Sequence, residues 1–540
     1  MSSRDISQRR WNGWGQAGQE MALTADGAHF LRQTLGDGQP LASADWEQVM
    51  AQVPESRLPP SGLYSIKCED RIRHARGQSL PDWLAMKSGD FTIFPDAVAF
   101  PTCSEQVRQL LAQAKQNGWD LIPYGGGTSV VGHINTHRSE RPVLTVSMVK
   151  MNRLLDLDRD DQIATFGAGV AGPFLEAQLQ AHGYTLGHFP QSFELSTLGG
   201  WIVTRSSGQQ SLRYGRIENL FAGGKLETFN GTINIPTVPA SSAGPDWRQL
   251  LLGSEGRLGI LSEAKVKVSR LPQQEIFGVA FLPNWPQGMR CVRELIQQKL
   301  PLSMLRLSNS EETRTQLFLS ATATQRQWLS RLMALKGIGD NKTMMVYGIT
   351  GNRLSNRSVY RELKQTIRHF GGFNTGQPLG KKWAHKRFTF PYLRETLWQR
   401  GYVVDTLETA TNWSNIPSLI EKIEHNLRHG LEKFGEKVHV FTHLSHLYSD
   451  GGSIYTTYVF RVADSYQETH QRWQTLKHST SQIIVDNQAT ISHQHGVGLD
   501  HAPYLEQEKS ELVIASLKRS FEFFDPEKQL NPGKLFNDLE

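Results

Sequence analysis

The chain has 540 residues, 38% of them hydrophobic and 20% charged, a composition that excludes a largely disordered protein and can fill more than one core. Its formal net charge of +6 is small for this length and no long Lys/Arg block stands out, so a nucleic-acid-binding protein is excluded. Three cysteines, none in a Cys-x-x-Cys spacing, exclude a disulfide framework and fit a reducing compartment.

The slight basic excess suits an anionic ligand (phosphate, carboxylate or lipid headgroup), beside the plainer reading of a solvated surface. The first twenty residues are polar, and no run approaches the ~18 apolar residues that cross a bilayer. The expectation is a cytoplasmic protein, at most peripheral to a membrane.

In chain order, residues 1–90 read as an irregular N-terminal extension. Its opening Arg9-Arg10-Trp11-Asn12-Gly13-Trp14-Gly15 either rests on a lipid surface or packs its indoles onto the body. From Pro95 the pattern tightens. Thr102 and Glu105 fit a capping box, Val107, Leu110, Leu111 and Ala114 follow at helical spacing, and Gly118 fits the stop. Asp120 to Tyr124 reads as a strand, as do 142–148 and 164–170. Pro173 and Gly183 bracket a helix carrying Leu175 and Leu179. Residues 260–269 alternate Ala264, Val266 and Val268 with Lys265 and Lys267. The stretch 272–490 alternates strands and helices. A last helix sets Val513, Leu517, Phe521 and Phe524 on one face before Asp525-Pro526. The fold class is α+β: an extension (1–90), a glycine-rich domain (91–271), a larger α+β domain (272–490), and a C-terminal segment (491–540) that returns to the first.

The densest local signal is Pro123-Tyr124-Gly125-Gly126-Gly127-Thr128-Ser129. Three glycines open backbone torsions closed to other residues, so several N–H groups can face one concavity and a diphosphate can approach the main chain. No Gly-Lys-Ser/Thr follows, and the spacing is not that of a Rossmann turn. A lone triplet is more often a plain loop. Here it is followed by two further small-residue stretches rich in hydroxyls, Gln191 to Gly200 with Thr204 to Gly208, and Gly253 to Leu261, whose order suits a long polar cofactor.

Together these loops resemble the FAD domain (PCMH type) of the vanillyl-alcohol-oxidase superfamily. The resemblance implies that Pro123, Tyr124, Gly125, Gly126, Gly127, Thr128 and Ser129 hold the FAD diphosphate. Gln191, Ser192, Ser196, Thr197, Thr204, Arg205, Ser206, Ser207, Glu255, Gly256, Leu258, Gly259, Ile260 and Leu261 would line the rest. No His or Cys stands within the triplet, so noncovalent FAD is expected.

A narrower likeness covers most of the chain. Trp11 to Gly15, Gly187-His188, Gly199-Gly-Trp201, Thr204-Arg205, Leu305-Arg306-Leu307, Tyr392 to Glu395, Asp405 to Thr409, Ser453-Ile-Tyr455 and Ser492 to Gly498 resemble the alkyldihydroxyacetonephosphate synthases. That family exchanges the acyl group of an acyl-dihydroxyacetone phosphate for a long-chain alcohol through a flavin adduct, without net redox change. The resemblance makes Tyr455 the acid/base, with nearby cations needed to bring its phenolate within reach. It makes Arg394 a planar clamp for the substrate phosphate, and sets His493 and His495 near the flavin. Arg306 either orients the site or forms a structural ion pair. Where the family has three consecutive histidines, this chain has Gln494 in the middle. A metal is not expected at His439, His443 and His446, because the related dehydrogenase motif ends in His where this chain has Tyr455.

The end, Leu530-Asn-Pro-Gly-Lys-Leu535, looks more like that of FAD-linked glycolate and lactate dehydrogenases. An FAD-linked dehydrogenase of a small 2-hydroxy acid or phosphorylated alcohol is therefore the alternative reading, and a non-catalytic flavin-binding module the third. The expected partner is a small-molecule or lipid phosphate, and the expected assembly a homodimer.

Overall fold

The computed structural model describes residues 8–536. The glycine-rich half holds two sheets. In the first, strands Ala97–Ala99 and Asp120–Tyr124 run parallel to a central Val143–Ser147, with Tyr64–Ser65 at one edge. The second is antiparallel, in the order Leu154–Asp158, Ile163–Gly167, Ile260–Lys267, Phe221–Thr228, Gly231–Ile235. In Ile260–Lys267 the alternating Ala264 and Val266 are buried while Lys265 and Lys267 are not, the period of two expected of a half-covered strand.

The larger half is a seven-stranded sheet. Its order is Phe373–Asn374, Gln274–Leu282, Thr343–Gly351, Met304–Ser308, His439–Leu447, Gly451–Arg461, Tyr402–Asn412, with every pairing antiparallel. Leu307, Leu407, Leu444 and Ile454 point to one face. They join a core closed by the helices Ile416–His429 and Tyr466–Asp486. Arg306, Glu408, His443 and Tyr455 project from the opposite face, with Tyr455 directly beside both Glu408 and His443 in the register. That polar face looks toward the glycine-rich half.

Three sequence expectations change. Residues before 90 are not irregular. They form the helices Ala25–Leu35, Trp46–Gln52, Cys68–Arg73 and Leu80–Ser88, the first two capped by Thr24 and Asp45 and the last by a Ser79/Asp82 capping box. Trp83 of the last helix is fully buried in the core of the larger half. The helix Ser104–Asn117 starts one residue later than a Thr102 box requires: Cys103 is its cap residue, and the Thr102 backbone N–H donates to Gln106 instead. In the last helix, Glu511–Phe524, Val513 faces solvent and Ile514 joins Phe521 inside, because the helix packs against the β-sheet core by a slightly rotated face. The opening tryptophans pack inward too. Trp14 is buried and Trp11 lies 5.5 Å from the Trp46 ring, so the lipid reading of that segment gives way to a packing one.

Candidate active site

The strand Asp120–Tyr124 delivers the chain into its triple-glycine loop, which lines a solvent-open cleft. Glycine is demanded by close approach. A Cβ on Gly126 would sit 1.9 Å from the Leu195 carbonyl oxygen and one on Gly125 2.3 Å from Thr197 Oγ1, while Gly127 has φ +73°. The 191–197 and 253–261 loops form the walls. Among the residues expected to hold the cofactor, Pro123 through Ser129, Ser192, Ser196, Thr197, Thr204, Ser206, Glu255, Gly256, Gly259, Ile260 and Leu261 line the cleft. His133, Gln494, His495 and Asn531 line it as well. Its hydroxyls and side-chain-free main chain fit a dinucleotide's diphosphate.

Four expected cofactor residues turn elsewhere. Gln191 donates to the Arg387 carbonyl at 2.9 Å. Arg205 reaches the Leu252 carbonyl at 3.0 Å and Gln249 at 2.9 Å. Ser207 faces His446, and Leu258 is fully buried in the core. Each motif is a continuous stretch, and successive side chains in a wall loop cannot all face one side.

Between the cleft and the polar face of the large sheet lies a buried network. His493 Nε2 lies 2.6 Å from the Tyr448 hydroxyl and 2.9 Å from Arg216 Nη1. Arginine can only donate, so Nε2 is the acceptor and Nδ1 carries the proton, which it gives to Glu408 Oε1 at 3.2 Å. The same oxygen accepts from Ser445 at 3.1 Å and Ser453 at 2.9 Å. The other, Oε2, is buried without a hydrogen-bond partner among the described residues, 3.8 Å from His495 Nε2 at the cleft. Burial alone would raise the Glu408 pKa, but the attraction of His493 and the hydrogen bond it donates, and then the attraction of His495 and His446 as these imidazoles take up protons in acid, outweigh it and hold the carboxyl well below its usual range. Burial lowers the His495 pKa, leaving a neutral imidazole that can accept a proton.

Tyr455 stacks on His443 with ring centroids 4.8 Å apart and meets His495 edge-on at 5.9 Å. Its hydroxyl donates to Thr406 Oγ1 at 3.2 Å. The expectation that cations bring its phenolate within reach is overturned: burial raises its pKa, and Glu408 and Asp405 raise it further. Arg306 opposes them weakly because it is engaged elsewhere. It is hydrogen-bonded to Glu312, which also meets His443 Nδ1 at 3.0 Å. Against the penalty of burial, His443 and Arg306 pull the Glu312 carboxyl down to about 2. Tyr455 thus stays a phenol that offers a hydrogen bond, and Arg306 braces the histidine beneath it.

Arg394 stands apart, on the short helix Leu393–Trp398. Its guanidinium lies 4.3 Å over the Trp83 ring and donates through Nη1 to the Gln78 carbonyl at 2.5 Å. Nη2 is buried with no partner among the described residues. That is the one-sided engagement expected of an arginine awaiting an anion.

Glu408, His446 and His493 offer donor atoms within 4.8 Å of one another, the spacing of a metal site. Both His493 nitrogens are already engaged, however, and Arg216 supplies the positive charge there. Burial, together with His493 and Arg216, lowers the His446 pKa to about 3. His443 serves Glu312, and His439 bonds Thr315 at 2.9 Å. Sequence reasoning gave no role to Arg216, Tyr448, Glu408 or Glu312. Glu408 lay within the Asp405 to Thr409 motif, and the histidines that Arg216, Tyr448 and Glu312 meet lie far off in sequence.

The C-terminal motif is explained by position. Leu530 bridges to Leu121, Asn531 donates to the carbonyls of His133 at 3.0 Å and Glu255 at 2.7 Å, and Lys534 donates to the Asn135 carbonyl at 2.7 Å. The segment pins the cleft floor to its wall. It serves the cofactor domain and leaves the substrate unspecified.

The fold and its cleft define a flavoprotein of the FAD-linked oxidase type. A model of the FAD binding domain matches residues 95–235, and one of the C-terminal domain of FAD linked oxidases matches 271–535. FAD is its cofactor. The chain belongs to the alkyldihydroxyacetonephosphate synthase family. It is 31% identical to the enzyme of that name from Dictyostelium discoideum, over 87% of this chain and 78% of the relative. It is 25% identical to the one from Trypanosoma brucei brucei, over 97% and 92%. A solved alkyldihydroxyacetonephosphate synthase superposes with a TM-score of 0.83 at 25% identity, covering 98% of this chain and 99% of the other.

Proposed function

We propose that this chain exchanges the acyl group of an acyl-dihydroxyacetone phosphate for a long-chain alcohol on noncovalently held FAD. The observation that carries it is geometric: His495 lines the cleft and the Tyr455 ring meets it edge-on at 5.9 Å, which sets an imidazole and a phenol side by side where protons must be moved. Ester plus alcohol gives ether plus fatty acid. The alcohol keeps its oxygen in the ether, its proton ends on the fatty acid, and no electrons are lost. Proton handling and charge placement are therefore the protein's tasks, and the bound flavin supplies the ring on which the exchange occurs.

In this reading His495 takes the alcohol proton, steadied by the Glu408 carboxylate 3.8 Å away, while the Tyr455 hydroxyl hydrogen-bonds the departing carboxylate. Arg394 directs its unpartnered Nη2 to the substrate phosphate. The FAD diphosphate lies on Pro123 to Ser129. No cysteine lines the cleft among the described residues, and His133 is engaged by Ser129 at 2.7 Å and Glu255 at 3.1 Å, which supports a noncovalent flavin. The domain limits read from sequence, a twofold homodimer and a cytoplasmic location belong to the same proposal. Among the described residues no helix is long and apolar enough to cross a membrane.

Acid precipitation should release the yellow colour. Acyl-dihydroxyacetone phosphate with a fatty alcohol should yield ether product without bleaching an electron-accepting dye. Tyr455→Phe should keep the flavin spectrum and lose ~10²-fold or more in turnover. Dye reduction by a 2-hydroxy acid, with no ether formed, would establish the dehydrogenase reading instead.

A further inference from the structure

Two helices on the outer side of the large sheet expose an unusual surface. In Ala323–Ala334 and its cap, Leu329, Leu332 and Met333 pack toward the core, while Trp328 and Leu335, two turns apart, share the other side. Trp328 is 66% exposed and Leu335 83%. Soluble surfaces seldom present an indole and a leucine so openly on one stripe. The helix Gln377–Lys386 lies beside it. Lys382 donates to the Ser320 carbonyl at 3.1 Å, and Trp383 packs into the same small core as Leu329 and Met333. Leu379 is exposed near its start, and Lys381, Lys382, His385 and Lys386 cover its outer side.

The charge is one-sided. Between Glu312 and Asp340 the chain carries Arg314, Arg326, Arg331 and Lys336 and no acid. Between Glu362 and Glu395 it carries Lys364, Arg368, Lys381, Lys382, Lys386, Arg387 and Arg394, again with no acid. Arg326 is paired with Asp26 at 3.1 Å and Arg314 with Glu311 at 3.7 Å, and Lys381, Lys382 and Lys386 of the second stretch are exposed. An indole and leucines ringed by lysines and arginines match the boundary of an anionic bilayer, where rings sit at headgroup level and cations meet lipid phosphates.

The surface also leads inward. Past Lys386, the Arg387 guanidinium lies 5.1 Å from the Phe189 ring and 4.8 Å from Phe388, and Phe388 stacks on Phe193 at 5.0 Å. Phe189 and Phe193 flank Ser192, which lines the cleft. An aromatic path thus joins the basic surface to the wall of the flavin site.

We propose that the face formed by Trp328, Leu335, Leu379 and Lys381, Lys382 and Lys386 docks on an anionic membrane and takes its lipid substrates from there. The second clause rests on the ether-lipid reading above; the docking itself does not. The purified holoprotein is floated with phosphatidylcholine vesicles, with and without phosphatidylglycerol, at low and high salt. Flotation is expected only with the anionic vesicles and should weaken as salt rises. Each cation near the surface adds roughly a fivefold factor. K381Q/K382Q/K386Q should therefore bind on the order of a hundredfold more weakly, and W328S/L335S at least tenfold. Flavin absorbance and circular dichroism should be unchanged in both variants, which separates loss of docking from misfolding. No flotation with anionic vesicles, equal flotation with neutral ones, or retention by both folded variants overturns the proposal. The last result, or capture by an acidic protein in the absence of lipid, assigns the face to something other than a bilayer. Because flotation needs no turnover, failure of the ether-forming assay leaves this test intact.

Discussion

Replacing Glu408 by glutamine tests the electrostatic centre of the site. The carboxylate oxygen Oε1 accepts from His493, Ser445 and Ser453, and the group is fully buried. A hydrogen bond to a charged acceptor is worth about 1 kcal/mol more than one to a neutral acceptor. Glu408→Gln should therefore destabilise by about 3 kcal/mol at pH 7. The pH dependence is diagnostic. His493, His495 and His446 hold this carboxyl below its ordinary range, so its contribution is fully present above the unfolded pKa of about 4.3 and is lost as pH falls toward the folded value. Urea unfolding of both proteins at pH 7, 5, 4 and 3.5 should show a constant gap down to about pH 4.5. The gap should then shrink by up to about 1.4 kcal/mol per pH unit. Turnover should fall about 10–100-fold, since His495 loses the carboxylate that supports its protonated form. A gap unchanged at pH 3.5, or a variant as stable as the parent at pH 7, would refute an ionised Glu408.

Arg216→Ala removes the donors to His493 Nε2 and to the carbonyls of Arg205 and His493, each about 3 Å away, and leaves Glu408 without its neighbouring cation. The expected loss is about 3–5 kcal/mol in chemical denaturation, with Arg216→Gln milder because it keeps one donor. Arg394→Lys should raise KM for the phosphorylated substrate about tenfold or more with a smaller change in kcat, as steady-state kinetics will report. Gly126→Ala drives a Cβ to within 1.9 Å of the Leu195 carbonyl, so the purified variant should carry much less flavin at 450 nm.

How far the site could be read from sequence depended on whether the demand on a residue was local. Gly125, Gly126 and Gly127 answer to backbone torsions and to a wall pressed against them, so the loop announced itself. So did Thr197 and Gly256 in loops of the same character. Arg205, Ser207 and Leu258 sit inside such loops and were swept in with them, although packing sends their side chains the other way. The N-terminal helices were missed for a different reason. Three of the four span nine residues or fewer, and Trp83 and its neighbours are held by packing on the distant large half rather than by local pattern.

The proton-handling network was least legible because no part of it is local. Arg216 meets His493 across 277 positions and Ser207 meets His446 across 239, so no spacing rule could join them. It is the strand register of the folded sheet that sets Glu408, Tyr455 and His443 on one face, next to one another. A carboxylate placed there needs a compensating cation. In this chain that cation comes from the far wall, through Arg216 and a neutral His493, leaving the Glu408 oxygen nearer the cleft free to act on His495. The orientation of that single carboxylate links the polar face of the large sheet to the flavin cleft, and makes the two halves one active site.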